Sequence, residues 1–484
     1  MHTHFFRPGY IRIIYVFTIF SFSACKKFVQ IQPPATEITG SAVYSGSTSA
    51  AAVITGLYDN MISSPNLSSG FSSIGYLTGL GADELTNYDP TNHKQVQFYE
   101  NVLTSFSNGF SNYYFWIELY NGIYVSNAVL EGLSNSSSVT APLKQQLVGE
   151  AKFMRAFFLF YATNLYGDIP LVTTTNYLVN DSISRTPQAE VYKQIVADLA
   201  DAQAKLPSGF VDANGNSSTQ RVRPNQGAAT SLLARVYLYT GKWDSAESEA
   251  TMVISNSDLY NLDSLNSVFL ANSTETIWQL QPTNPGFNTW DAFFYVLEGP
   301  PGPGGNSVAI NPHLISTFEN GDARLVDWVG AFPNGDAAYY YPFKYKVYQY
   351  GSAVTEYTMV LRLAEQYLIR AEARAAQMNI TGPNGALADL NVIRNRAGLS
   401  SYSGLTDQQS VLAAILHERQ VELFTEWGHR WFDLKRTNNL NTVMGAPGNV
   451  CQTKGGTWNS DWALLPIALQ ELKINPNLIQ NPGY

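Results

Sequence analysis

The densest group of side chains able to do chemistry is the run His417-Glu418-Arg419-Gln420-Val421-Glu422-Leu423-Phe424-Thr425-Glu426-Trp427-Gly428-His429-Arg430-Trp431-Phe432-Asp433-Leu434-Lys435-Arg436. Carboxylates, guanidinium groups and imidazoles together could move protons, or they could simply neutralise one another. Arg419 stands three residues before Glu422 and seven before Glu426, which predicts one shared helix face. Large aromatics alternate with the ions, so the expectation is a partly buried, fully paired network. A lone buried charge is costly, and loss of one partner should destabilise strongly. Acid–base or metal chemistry is the lesser reading. The six histidines are His2, His4, His93, His313, His417 and His429. No pair of them has metal-ligand spacing, and His417-Glu418 lacks a second His four residues after the first. There is no nucleophile elbow and no phosphate loop. Two carboxylates for glycoside cleavage need not be neighbours in the chain. A secreted glycoside hydrolase therefore stays as an alternative, although the expectation is no enzyme.

Composition narrows the partners. The chain has 484 residues, 14% of them charged, with a formal net charge of −9. Phosphate binding needs clustered Lys and Arg, and the longest basic run is Lys26-Lys27, so nucleic acid is not expected. Aromatics make up 13% of the residues, with 29 Tyr, 25 Phe and 9 Trp. Most should fill core. A minority could offer flat faces to sugar rings.

The first residues follow a secretory pattern. Arg7 and Arg12 flank the apolar run Ile13 to Phe20, and small residues from Ser21 to Ala24 precede Cys25. The run is short for a membrane span, which takes roughly 20 apolar residues. Phe22-Ser23-Ala24-Cys25 resembles a bacterial lipobox, with Phe22 unusual at its position. Residues 1–24 are then a signal peptide and Cys25 carries lipid. The alternative is an ordinary cleaved signal beside an incidental Cys. With Cys25 lipidated, Cys451 is the other cysteine of the chain and has no intrachain partner. Several acyl chains anchor a protein firmly where one does so marginally.

Residues 25–45 are expected to form a tether, extended at Pro33-Pro34. A main domain covers 46–484. Apolar residues spaced by three and four predict helices from about Ser47, over 108–133, 142–166, 187–205 and 407–427. Helix pairs about 147–205, 225–256 and 360–397 resemble tetratricopeptide units, with Gly241 joining the second pair. Residues 275–350 hold Gly, Pro, Asn and aromatics around Pro300-Pro301-Gly302-Pro303-Gly304-Gly305, which predicts loops. Ile277 to Leu280 is a candidate strand. Residues 440–484 are expected to be mostly loop, with a helical turn at 467–472.

Five separated motifs resemble the SusD/RagB family of Bacteroidetes. They are the start Cys25-Lys26-Lys27-Phe28, the helix Arg362 to Ala373, the segment Leu390 to Leu399, the run His417 to Arg436, and the ending Leu464-Leu465-Pro466-Ile467 … Asn475-Pro476 … Gln480-Asn481-Pro482-Gly483-Tyr484. The resemblance implies a mainly α, SusD-like fold. Tetratricopeptide-like helix pairs would form the scaffold, and a loop-rich side would hold the ligand. It also implies a glycan-binding lipoprotein of the outer membrane, facing the extracellular side. The implied partner is a SusC-like TonB-dependent transporter, to which oligo- or polysaccharide is delivered. A peptide ligand, as in RagB-like relatives, and a purely structural assembly role are the alternatives. No cofactor is implied, and structural calcium is left open.

The resemblance places ligand contacts in a loop after the first helices and in the irregular central segment. In this chain those are Asp83 to Asp89 and roughly 283–345. The expected binding residues are Asn87, Tyr88 and Asp89, then Trp290, Tyr295 and Trp328. Tyr339, Tyr340 and Tyr341 rank behind them. For each aromatic, packing within a loop is the competing reading. Asp83-Glu84 could instead cap a helix or hold a structural ion.

Overall fold

The computed structural model describes residues 43–63, 66–104, 111–445 and 450–484. The signal peptide 1–24, the lipidation site Cys25 and nearly all of the tether 25–45 lie outside the described residues.

Helices carry the architecture. In chain order they include α1 (Ser47–Ile62), α2 (Ile74–Gly81), α3 (His93–Tyr99), α4 (Ser111–Asn135), α5 (Ala141–Tyr166), α6 (Gln188–Lys205), α7 (Gln226–Tyr239), α8 (Trp243–Ile254), α9 (Trp290–Tyr295), α10 (Pro312–Thr317), α11 (Leu363–Ala376), α12 (Ala386–Arg396), α13 (Gln408–Glu422) and α14 (His429–Arg436). α5 is the centre. Its second half is buried all round and mostly apolar, with Phe153, Met154, Phe157, Phe158, Phe160 and Tyr161 in the interior, as expected of a helix enclosed by neighbours. It stops at Gly167, where φ is +76° and an added Cβ would come within 2.8 Å of Leu464. Only glycine takes that conformation without strain.

From α4 to α8 each helix packs on the next, then α8 packs on α11, and α11 on both α12 and α13. Small residues allow the close approaches. Ala234, Ala246 and Ala250 of the α7/α8 pair meet Ile369 and Ala373 of α11. Leu368, Ala371 and Ala375 meet Leu390, Ile393, Val411 and Ile415. Buried ion pairs lock the row. Arg155 on α5 donates to both oxygens of Asp198 on α6 at 2.8 and 2.6 Å, and to Asn127 on α4 at 2.9 Å. Arg235 on α7 grips Glu365 on α11 at 2.7 and 2.6 Å. Among the described residues no helix is long and apolar enough to cross a membrane.

The described residues also hold three two-stranded antiparallel sheets: β1 (Leu85–Asn87) with β3 (Val308–Ile310), β2 (Thr276–Leu280) with β6 (Thr358–Arg362), and β4 (Val329–Asn334) with β5 (Ala337–Pro342). β2 covers the expected strand at 277–280. The β4–β5 hairpin was expected as loop. Gly335 takes φ +60° at the first position of its two-residue connection, the left-handed geometry such a turn needs there. The segment 275–350 also contains α9 and α10, so it is not free of helix.

The run 407–427 is not one helix. α13 ends at Glu422, and Thr425, Trp427 and Gly428 take φ of 59°, 48° and 74° before α14 begins. Glu426 is therefore off the helix, and Arg419 pairs with Asp433 at 2.7 Å rather than with Glu422. Glu422 is met instead by Arg324 at 2.9 Å, Arg362 at 2.5 Å, and Arg396. Glu426 is met by Arg362 at 2.8 Å and Lys344 at 2.5 Å. The network is buried, but pairing is incomplete: Nη1 and Nη2 of Arg419 have no hydrogen-bond partner.

Candidate ligand-binding surface

Thr289 caps α9 by accepting the Ala292 amide at 3.0 Å. The short helix turns Ala292 and Tyr295 inward and leaves Trp290, Phe293 and Phe294 at the surface. Trp290 is held by its ring N–H, which donates to the Ile62 carbonyl at 3.0 Å. Phe287 lies 4.5 Å from Trp290 and 5.3 Å from Phe293, centroid to centroid, and Tyr350 lies 5.2 Å from Phe287. Phe294 faces Trp290 at 6.1 Å with 29° between planes, and meets Phe71 edge-on at 4.9 Å. Six rings thus form one connected group. Tyr350 is 71% exposed and Phe293 38%, while the others are half-buried. Contiguous apolar surface of this kind is costly to leave in water and marks interaction sites.

The loop that carries Phe71 is tied to α9. Asp291 accepts the Gly70 amide at 2.8 Å, and burial pushes its carboxyl up to about 7. Lys94 on α3 donates to Ser72 at 2.9 Å and sits 5.9 Å from the Phe71 ring. Burial lowers its amine to about 8.

The earlier loop occupies a second position. β1 pairs with β3, and the Tyr88 amide donates to Ser307 at 2.8 Å. Asn87 exchanges two hydrogen bonds of 3.1 Å with the Asp89 backbone. Asp89 accepts both the amide and the hydroxyl of Thr91. These two side chains therefore close a turn, which uses groups expected to face ligand. The half-buried Tyr88 ring meets Tyr339 of β5 edge-on at 5.3 Å. Tyr340, next along the strand, is 38% exposed, and Tyr341 is half-buried.

Two of the expected residues are corrected. Trp328 is fully buried in a cluster with Phe269 and Val329, its ring N–H donating to Leu265 at 2.8 Å. Tyr295 is 3% exposed and stacks on Tyr76 at 5.4 Å. Neither ring has a face for a ligand. Asp83 is held by Arg430 at 2.8 and 2.6 Å. Glu84 accepts the Thr425 amide at 3.0 Å, and burial raises it to about 8. Both therefore have structural partners of their own. The structure adds Phe71, Phe287, Phe293, Phe294 and Tyr350, which sequence reasoning did not select. The spacing Phe287…Trp290…Phe293-Phe294 around a Thr-Asp helix start is the signal that could have found three of them. Among the described residues, Glu319, His417 and Glu418 cluster closely enough to suggest a cation site. Arg394 already pairs with Glu319 at 2.5 Å, and Arg324 with Glu418 at 2.7 Å.

Comparison with known proteins now bears on this geometry. Residues 330–484 match the profile described as the SusD family, and residues 81–238 match the one described as starch-binding associating with outer membrane. Two SusD-type profiles on separate parts of the chain, with full-length SusD-like relatives, support a SusD/RagB family protein. SusD-like protein P25 of Formosa agariphila is 26% identical, over 98% of this chain and 99% of that protein. SusD-like protein P2 of the same organism is 28% identical over 76% and 80%. Among solved structures, a SusD superfamily protein from Bacteroides vulgatus has a TM-score of 0.75 at 21% identity, covering 90% of this chain and 99% of its own. A laminarin-binding SusD-like protein has a TM-score of 0.73 at 24% identity, covering 91% and 100%. These likenesses establish the mainly α SusD-like fold.

Proposed function

We propose that this SusD-like chain captures oligo- or polysaccharide at a membrane surface and does not cut it. The observation that carries the reading is the aromatic group in which Phe293 and Tyr350 are exposed beside the half-buried Trp290 and Phe287. Sugar rings present C–H faces that lie flat on aromatic rings, and both surfaces lose unfavourable contact with water. The rings are held from below by the Trp290–Ile62 and Asp291–Gly70 hydrogen bonds, which limits the ordering cost of binding. A solved relative named for laminarin binding and a family profile named for starch binding support a glycan as the ligand class.

In this reading lipid on Cys25 holds the protein to the outer membrane, on the extracellular side. A SusC-like TonB-dependent transporter receives the captured glycan. The expected lipobox supports the anchor, and the matched profile's description as associating with the outer membrane supports the location. The test is titration of the purified chain against a polysaccharide panel that includes laminarin and starch, repeated with Trp290→Ala. Binding to at least one glycan, weakened by the substitution and without release of reducing ends, is the expected result. Binding to peptides and to no glycan would replace the ligand class, and release of reducing sugar would replace the non-catalytic reading.

A further inference from the structure

A second group of large apolar side chains stands in solvent, on segments that carry none of the six rings. Tyr124 of α4, then Tyr177, Leu178 and Val179 of the short helix Tyr177–Asn180, and Ile474 and Ile479 near the end of the chain are all exposed, Tyr177 at 72% and Ile479 at 75%. Three hydrogen bonds draw the last segment to the loop that follows the short helix. Asn475 donates to the Ile183 carbonyl at 2.9 Å, Asn477 to Ser182 at 2.8 Å, and Arg185 to Ile479 at 2.7 Å. α4 holds the stretch that precedes the short helix. Tyr120 donates to the Pro170 carbonyl at 2.9 Å, Asn127 to Val172 at 3.1 Å, and Glu131 accepts the Thr174 hydroxyl at 2.9 Å and the Thr175 amide at 2.8 Å. Residues 120, 124, 127 and 131 share one face of α4, so Tyr124 belongs to the same surface. Contiguous exposed apolar side chains mark a contact with a partner or a membrane.

The chain enters the fold beside this surface. The Tyr44 carbonyl accepts the Ser136 hydroxyl at 2.6 Å, and the Tyr44 ring packs on Gly132, the neighbour of Glu131 in α4. The residues between Cys25 and Tyr44 reach at most about 60 Å when fully extended. Lipid on Cys25 therefore keeps the entry point within that distance of a bilayer. α1 runs from this point to the ring group: it starts at Ser47, and Ile62 at its other end holds Trp290. Its 16 residues put about 24 Å between the two ends.

The nearest charges along the two exposed segments are Asp181 and Lys473, both exposed and of opposite sign. Attraction to this face is therefore apolar rather than ionic. Tyrosine rings beside aliphatic side chains suit the boundary between water and lipid, where the ring lies among acyl chains and the hydroxyl stays wet.

We infer that this face seats on the lipid surface, with Tyr177, Leu178 and Ile479 entering the headgroup layer. The inference rests on the lipid-anchor reading above and deepens it. The acyl chains supply the binding and the patch supplies the orientation, with the ring group held at the far end of α1, away from the lipid.

The experiment floats the full chain carrying Cys25→Ser, which takes no lipid, with vesicles of three parts phosphatidylethanolamine to one part phosphatidylglycerol. Weak binding that salt does not change is expected, reduced at least about tenfold by Leu178→Asp/Ile479→Asp. Both side chains are exposed, so the urea midpoint and the glycan titration should not move. Leu178→Ser/Ile479→Ser serves if the Asp variant unfolds. No vesicle binding by the Cys25→Ser chain, or binding that neither double variant weakens, overturns the inference. Loss of self-association in sedimentation, with vesicle binding unchanged, gives the face to a second copy of the chain and also overturns it. Mass spectrometry of the wild-type chain from cells tests the anchor separately. An unmodified Cys25 removes the anchor reading, while the vesicle result still decides the patch.

Discussion

The side chain of Asp291 accepts the backbone amide of Gly70 at 2.8 Å, across 221 positions of sequence. That bond joins the loop bearing Phe71 to the helix bearing Trp290, Phe293 and Phe294. One half-buried carboxyl thereby aligns the two halves of the aromatic surface.

Replacing Asp291 by Ala leaves the buried Gly70 amide unpaired, at a cost of about 1–3 kcal/mol. Asp291→Asn keeps a carbonyl acceptor and should restore most of the loss. Urea unfolding measures the stability, and glycan titration should show weaker binding in the Ala variant than in the Asn variant. Equal binding by both would show that the tie does not position the rings.

Trp290 and Trp328 should respond in opposite ways to truncation. Trp290→Ala removes a surface ring and should weaken glycan binding about tenfold or more, with little change in unfolding midpoint. Trp328→Ala empties part of a closed core and should cost about 3–5 kcal/mol. Titration and denaturant unfolding of the two variants side by side separate the roles.

Stability should depend on pH through Glu84 and Asp291. Burial raises them to about 8 and about 7 from ordinary values of 4.5 and 3.8. A group whose folded pKa is raised contributes stability that is full below its unfolded pKa and lost as pH rises through its folded pKa. As pH rises, Glu84 should therefore lower stability between about pH 4.5 and 8 and Asp291 between about pH 4 and 7, with a limiting slope of about 1.4 kcal/mol per pH unit per group. Ion-paired carboxylates such as Glu422 and Glu426 are held below their ordinary range by Arg partners against the pull of burial, and act in the opposite sense on acidification. Subtracting the Glu84→Gln profile from wild type isolates the Glu84 component, which should lie between pH 4.5 and 8. A difference that is flat over that window would mean the carboxyl is ionised in the fold.

Arg362 meets Glu275 at 3.0 Å, Glu422 at 2.5 Å and Glu426 at 2.8 Å, all in the interior. Arg362→Met leaves three buried carboxylates short of a partner and should cost about 3–5 kcal/mol. The loss should shrink when Glu426→Gln is added, and a double-mutant cycle in urea measures that coupling. Additive losses would place the two groups in separate networks.

Much of the frame was legible from local pattern. Leu147, Ala151, Met154 and Phe158 recur at helical spacing, and Tyr166-Gly167-Asp168-Ile169-Pro170 stops the helix where α5 ends. The pairing of α7 with α8 follows from Gly241 between two small-residue faces, because a short connection leaves the second helix no other neighbour to reach first. The motifs of the SusD/RagB family were likewise readable one segment at a time. The hairpin at Val329 to Pro342 was missed, although Gly335-Asp336 marks its turn.

Helical period, turn chemistry and the ionic run are properties of neighbouring residues, so the chain alone determined them. Which aromatic faces solvent is not such a property. Trp290 and Trp328 lie in the same Gly- and Pro-rich stretch, yet one rests at the surface on the Ile62 carbonyl and the other is sealed among Leu265, Phe269 and Val329. Likewise Arg419 chose Asp433 over Glu422 because the backbone turns at Thr425 and Trp427 and brings α14 back against α13. Burial and ion pairing depend on what distant segments place alongside, and only the packed structure supplies those partners.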